Sequence, residues 1–417
     1  MGYFSQYSND SPWGCSLAKV LAMHDLAPAP LRGFEDRSAW AVNHDWIFLN
    51  AGSFGMRLRA VAAARADLLQ TYEQQPVDFL ERHAEQAVHA AREVIASFVG
   101  ADPLGLACVT NATEAIDAVL ASMRHLSGDI LIGSEAYGAV QQASLWEAAA
   151  SNHRQVRVVD TPLPAMQASD IVNAWDAALA QGTPALAIVD HITSPTGVVQ
   201  PVEGIIACCR AHGVAVLIDG AHAPGMLPLE IDALGVDWYA GNLHKWVGAP
   251  TGAGFLWTSA AYRDITRPVI PSHFIHDGYL ESFDWQGTRD ITPWLMAPVA
   301  IEAVEQRSGW QALRDWQQEM CAWCGPQLAD ALGTMLASPP DCPHGAMVAA
   351  KLPEATLAAY DGHFAFRDEV AKRHRVEVAM SEVAGSWWVR FSMGPWLCPA
   401  DLEVAIDAVQ DCALQPS

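Results

Sequence analysis

Chemistry in this chain is suggested first by one stretch, "DWYAGNLHKWVGAPTGAGFLW" (237–257), in which Lys245 stands between a histidine and a tryptophan just past an apolar, strand-like run. A lysine ammonium is strongly hydrated and rarely keeps such company, so it either reaches out to water or sits in a pocket because its amine reacts. A second candidate lies 26 residues upstream in "VLIDGAHAPG" (216–225), where Asp219 ends an apolar run and a Gly turn follows. An aspartate there caps the turn, or it makes a charge-assisted hydrogen bond to a cationic ring nitrogen. His222, three residues on, is within reach of the same ligand or packs in the turn. A third is "TNATEAIDAVL" (110–120), which puts Asn-Ala-Thr at the start of an amphipathic helix. Free amides and the positive dipole end of such a helix suit a phosphate, while simple capping by Asn111 or Thr113 is the alternative.

Together these make a parts list: an amine that can be desolvated, an acid for a ring nitrogen, and a phosphate cradle. Those are the groups that pyridoxal phosphate asks of a protein, with Lys245 bonding to the cofactor aldehyde and serving as a base.

These residues must be held by a frame, and the middle of the chain supplies one. Strand candidates occur at 129–134 ("DILIGS"), 155–160 ("QVRVVD"), 185–191 ("ALAIVDH"), 214–219 ("VAVLID") and 252–257 ("GAGFLW"), separated by stretches with apolar residues at three-to-four spacing. Continuous apolar strands alternating with helices predict an α/β fold whose sheet is covered on both faces and binds ligands beyond the carboxyl ends of its strands. Residues 1–60 read as an irregular N-terminal segment, 61–300 as a large domain, and 301–417 as a smaller α+β domain with long helices, "HRVEVAM", "WWVRFSM" and a closing helix.

The chain of 417 residues is 51% hydrophobic and carries a formal net charge of −23, which disfavours nucleic acid and anionic lipid as partners. The polar opening "MGYFSQYSNDSPWGCS" lacks a secretory apolar core, and no apolar run is long enough for a membrane span. Nine scattered cysteines, with "CAWC" (Cys321 and Cys324) inside a helix-like run and no second pair to complete a zinc site, point to structural thiols and a reducing cytosol.

The chain resembles the class V aminotransferase-like, fold-type I pyridoxal phosphate enzymes, and within them the isopenicillin N epimerase-like group. The resemblance runs over about 350 residues through "LNAGSFG" (49–55), "PVDFLERH" (76–83), "TNATEAIDAVL", "ILIGSEAYGAV", "HITSPTGVVQPV", "VLIDGAHAPG", "DWYAGNLHKWVGAPTGAGFL", "QGTRDITPW" (286–294) and "VRFS" (389–392). It implies that Lys245 is the cofactor-bound lysine and proton carrier, and that Asp219 pairs with the ring nitrogen, with His222 beside the cofactor. By the same resemblance Ala112 and Thr113 take the phosphate from the helix start, Asn242 and His244 take its other side, and Tyr137 stacks over the ring. Thr288 would reach the phosphate of a neighbouring subunit, which implies a homodimer. Arg390 would take the α-carboxylate of an amino-acid substrate, with Asn50 and Ser53 also facing it.

The departures fall on the substrate side: Ala51 stands where relatives often carry a polar residue, and "FSMGPWLC" follows Arg390. No cysteine lies between 343 and 397, which disfavours the persulfide chemistry of cysteine desulfurases. The expected reaction is removal of the Cα proton followed by β-elimination from a cysteine-type moiety of a larger secondary metabolite or thiol conjugate. Amino-acid epimerisation is the alternative, with transamination or decarboxylation of the same adduct behind it.

Overall fold

The structure is a computed structural model, and it describes residues 36–150 and 154–415. Twelve strands are described, in chain order β1 (Ile47–Phe48), β2 (Leu106–Val109), β3 (Asp129–Gly133), β4 (Val156–Val159), β5 (Pro184–Asp190), β6 (Ala215–Gly220), β7 (Trp238–Asn242), β8 (Gly254–Thr258), β9 (Met347–Lys351), β10 (Val376–Glu377), β11 (Ala379–Val383) and β12 (Ser386–Ser392). Seven of them form the large sheet in the order β2-β8-β7-β6-β5-β3-β4, parallel except where β8 pairs antiparallel with β2 and β7. All five strands expected from the sequence are present, and β2 and β7 join them. The fold is the expected α/β arrangement, a mostly parallel sheet with helices packed on both faces.

Alternation along the strands decides which residues can meet. Ile130, Ile132, Leu186, Ile188, Leu217, Ala240 and Leu256 face one side of the sheet and pack with Ala115, Ile116 and Val119 of the helix Ala112–Ser122. Leu131, Ala187, Val189, Val216, Ile218 and Phe255 face the other side and join the larger core with Trp175 and Ile205. Two residues beyond Ile188, Leu217 and Ala240 come Asp190, Asp219 and Asn242, on the face that carries the Ala112–Ser122 helix. Asp190 lies in register with Asp219. The chain runs from β4 back across β3 to β5, so a crevice opens where these strands end.

The second sheet has the antiparallel order β11-β12-β9, which puts Arg390 on the central strand opposite Ala379 and Ala349. Its neighbours Trp388, Val389 and Phe391 are buried, and this packing fixes where the arginine can go.

The segment 47–55 ties the two sheets together. β1 pairs in parallel with β10, and the Leu49 carbonyl accepts from the Ser392 amide at 2.9 Å. The short helix Ala51–Phe54 then passes over Arg390, where a Cβ at Gly52 would lie 3.0 Å from Nη2 and 2.8 Å from the Met347 sulfur. Gly55, at φ +70°, closes the turn so tightly that a Cβ would overlap the His244 carbonyl and come within 2.7 Å of that of Lys245. Gly55→Ala is therefore expected to cost about 2 kcal/mol or more, from backbone strain plus displacement of the Lys245 loop. Gly213, at φ +69° with open space around it, carries the strain alone. Thermal unfolding of both alanine variants checks this, with the Gly55 variant falling clearly further.

Candidate active site

Lys245 follows β7 by three residues, and its Nζ lies 3.0 Å from His222 Nε2. The residue as a whole is half-buried, and its amine is surrounded by protein atoms. Burial pushes the amine down to about 7, partly opposed by Asp219 and assisted by Arg390. Among the described residues no carboxylate comes within ion-pair distance of it, so the pocket favours the neutral, nucleophilic amine.

Asp219 sits at the end of β6, buried, with Oδ1 accepting the Ala221 amide at 3.0 Å. Burial raises its proton affinity, while that hydrogen bond and Lys245 oppose the rise. Asp190 beside it is raised much further, by burial first and then by Asp219 and Glu135. Two carboxylates side by side out of water do not both ionise easily, so Asp190 carries the proton and Asp219 the charge. Glu135 completes this acidic floor: it is buried, hydrogen-bonded to the Thr196 hydroxyl, and pushed up to about 7 by burial.

At the helix start, Asn111 Oδ1 accepts the Glu114 amide at 2.9 Å and Asn242 Oδ1 accepts the Ala112 amide at 2.8 Å. The Ala112 amide expected to face a phosphate is instead engaged by Asn242, while among the described residues nothing hydrogen-bonds the Thr113 amide or hydroxyl. His244 Nδ1 lies 2.8 Å from the Ala253 carbonyl, which can only accept, so Nδ1 carries the proton. Burial lowers the basicity of this ring. Its Nε2 would donate to a phosphate only after taking a second proton, which a phosphate dianion favours.

Arg390 is 3% exposed, and Nη1 donates to the Ser194 carbonyl. Its Nε has no hydrogen-bond partner, and among the described residues no carboxylate pairs with it. Burial draws the guanidinium down to about 10. A buried guanidinium without a counter-ion is costly unless an anion arrives, and its free edge is the kind that holds a carboxylate at two points.

Asn50 and Ser53 stand on the segment over Arg390, with Ser53 Oγ donating to Asn50 Oδ1 at 2.6 Å. Tyr137 is 50% exposed at the N-cap of the helix Gly138–Ala149, beyond the end of β3. Thr288 is exposed too, on a loop held to the helix start by Arg289, which lies 3.6 Å from Glu114 and over the Trp294 ring. Trp294 in turn donates to the Val109 carbonyl at 2.9 Å. The structure thus brings Lys245, Asp219, His222 and Arg390 into one electrostatic group, with Asn242 and Ala112 joined at its edge. Tyr137 and Thr288 are at the rim with their side chains uncovered.

Comparison with known proteins identifies the family. The class V aminotransferase family model matches residues 47–404. The chain belongs to the class V aminotransferase family. It is 31% identical over 395 residues to isopenicillin N epimerase of Streptomyces clavuligerus, covering 90% of this chain and 97% of that one. It is 30% identical over 331 residues to L-cysteine desulfhydrase of Arabidopsis thaliana, covering 75% and 72% of the two chains. A cysteine desulfurase from Thermococcus onnurineus NA1 shares the fold with a TM-score of 0.76 at 16% identity, over 93% of this chain and 99% of that one. This family member is a pyridoxal 5'-phosphate-dependent enzyme, as the sequence led us to expect.

The residues present fit that cofactor: an uncharged amine for the aldehyde, a charged aspartate, and an open helix-start amide. Sequence reading did not single out Asp190, Glu135, Trp246 or the Ser194 carbonyl. Asp190 had a readable signal, since it lies near the carboxyl end of the strand expected at 185–191; the others depended on loop geometry. The described cysteines are all free, with Cys321 and Cys324 buried in the helix Trp310–Leu332. Cys342 is buried as well, and burial pushes its thiol up to about 11, the wrong state for a nucleophile.

The Lys245 amine has a measurable signature. Covalent capture of added pyridoxal phosphate by the cofactor-free enzyme needs the uncharged amine, so its rate should rise through a midpoint near pH 7 and level off above it. Stopped-flow absorbance across pH checks this; a rate still climbing past pH 9 would mean an ordinary exposed lysine.

Proposed function

We propose that this enzyme removes the Cα proton of a cysteine-type amino-acid moiety with Lys245 and lets the β-substituent depart, a C–S lyase reaction. The observation that carries the reading is the buried Arg390, a guanidinium lacking a carboxylate partner among the described residues, in the same electrostatic environment as the uncharged Lys245. Such a pair suits an α-amino acid, whose carboxylate meets the guanidinium while its Cα–H is offered to the amine. When bound, the cofactor supplies the electron sink that makes that proton acidic. Asp219 keeps the charge that holds a ring nitrogen protonated, and Asp190 and Glu135 surround it with groups that are neutral or nearly so. Lys245 then takes the proton, the β-substituent leaves with the bonding pair as a thiolate, and hydrolysis of what remains gives a 2-oxo acid and ammonia. Elimination asks for no second acid on the opposite face, which is why it is preferred here.

Epimerisation stands as the second reading, favoured by the nearly full-length likeness to isopenicillin N epimerase. The two separate cleanly. With L-cysteine and its S-conjugates, elimination releases pyruvate, ammonia and a thiol or sulfide; epimerisation in deuterium oxide gives inverted amino acid labelled at Cα, with no pyruvate.

The reading extends to a cytosolic homodimer acting on a bulky thiol conjugate or secondary metabolite. Support for the dimer is the exposed Thr288 on a loop anchored beside the phosphate-ready helix start, free to meet a second copy. Eight described cysteines without disulfides suit a reducing compartment. Sedimentation at micromolar concentration tests the dimer directly.

Arg390→Lys should raise KM and lower kcat/KM by about one to two orders of magnitude, and kcat should fall too, because an ammonium cannot fix the plane of a carboxylate. Steady-state kinetics with melting temperature separates this from a structural role, for which stability would fall while both constants stayed near wild type.

A further inference from the structure

Beside the lysine lies a hydrogen-bond chain that the reaction as described does not use. Trp246 Nε1 is 3.4 Å from His222 Nδ1, and His222 Nε2 is 3.0 Å from Lys245 Nζ. The three side chains come from two segments, the turn after β6 and the loop after β7, so their meeting is a product of the fold.

The chemistry of the donors orders this chain. An indole nitrogen can only donate, so His222 Nδ1 must accept. His222 is 2% exposed and strongly disfavoured as a cation, by burial first and then by Lys245 and Arg390. A neutral ring whose Nδ1 accepts carries its proton on Nε2, and that N–H points at Lys245. The lysine must meet it with a lone pair, which only the uncharged amine has. In the other tautomer Nε2 would present its own lone pair and welcome an ammonium.

We propose that Trp246 is a positioning residue for Lys245: its indole N–H fixes the His222 tautomer that donates to the amine, holding Lys245 uncharged and aimed. The proposal rests on the reading of Lys245 as the residue that bonds the cofactor. The other groups facing the amine are Asp219 at the end of β6 and Arg390 on β12, with His244 adjacent in the chain and Arg57 beyond it. Asp219 favours the ammonium and Arg390 the amine, so the balance is close and the histidine tautomer can tip it.

Covalent capture of pyridoxal phosphate reads this balance. The amine lone pair attacks the aldehyde carbon, the carbonyl oxygen leaves as water with the two amine protons, and a carbon–nitrogen double bond forms. An ammonium must first lose a proton to the solvent. Trp246→Phe keeps an aromatic ring and removes the donor, which frees His222 to take the other tautomer and stabilise the ammonium. Its capture midpoint should move about one pH unit alkaline, making capture about tenfold slower at pH 6, with the plateau rate at high pH retained.

Ring-nitrogen NMR of histidine-labelled wild-type enzyme without cofactor is the second measurement, the His222 signals being assigned by their loss in His222→Gln. Nε2 should be protonated and Nδ1 bare. The opposite tautomer would overturn the proposal even if the phenylalanine variant failed to fold. A Trp246→Phe midpoint equal to wild type, or a slowing uniform across pH, would overturn it as well. Failure of wild type itself to capture the cofactor, or capture undiminished in Lys245→Ala, would instead sink the assignment of Lys245.

Discussion

Desolvation of basic side chains governs this molecule. Lys245 and Arg390 are both drawn away from water, with no carboxylate among the described residues close enough to pair with either, and each responds differently. The amine, with a modest intrinsic proton affinity, gives up its proton near neutral pH. The guanidinium, drawn down only to about 10, stays charged and therefore requires an anion. One pocket thus holds a nucleophile and an anion receptor, and most of the surrounding structure serves to keep water and counter-ions from spoiling that contrast.

The same logic accounts for the acidic side. Three carboxylates, Asp219, Asp190 and Glu135, lie at the carboxyl ends of neighbouring strands or just past them, all buried. Placing them together costs stability, and the cost is reduced because protons reside on two of them while the Ala221 amide favours charge on the third. The arrangement concentrates one negative charge at the end of β6, which is what a cationic ring nitrogen would need.

Holding these groups in register is a matter of two close approaches. The segment 47–55 joins the three-stranded sheet through Ser392, pairs with β10 through Glu377, and reaches the Lys245 loop through Gly55. Because it touches both sheets, it sets the separation between the arginine on one and the lysine on the other. Glycines stand at 52 and 55 since any Cβ there would press on the guanidinium or on the backbone of the lysine loop.

Much of this was legible in the residues alone. Continuous apolar, β-rich runs alternating with helix-patterned stretches revealed the α/β sheet, and strand ends located Asp219 and Lys245, because local pattern and strand termini are properties of short segments. The motif "WWVRFSM" marked Arg390 as a buried cation in want of a partner for the same reason. The tertiary structure alone decided that among the described residues no acid pairs with Arg390, that Asp190 shares a buried acidic floor with Asp219, and that Trp246 meets His222. Those facts rest on distances between side chains from different segments, and hydrogen-bond direction, desolvation and proton affinity depend on such distances while leaving no periodic trace in the chain.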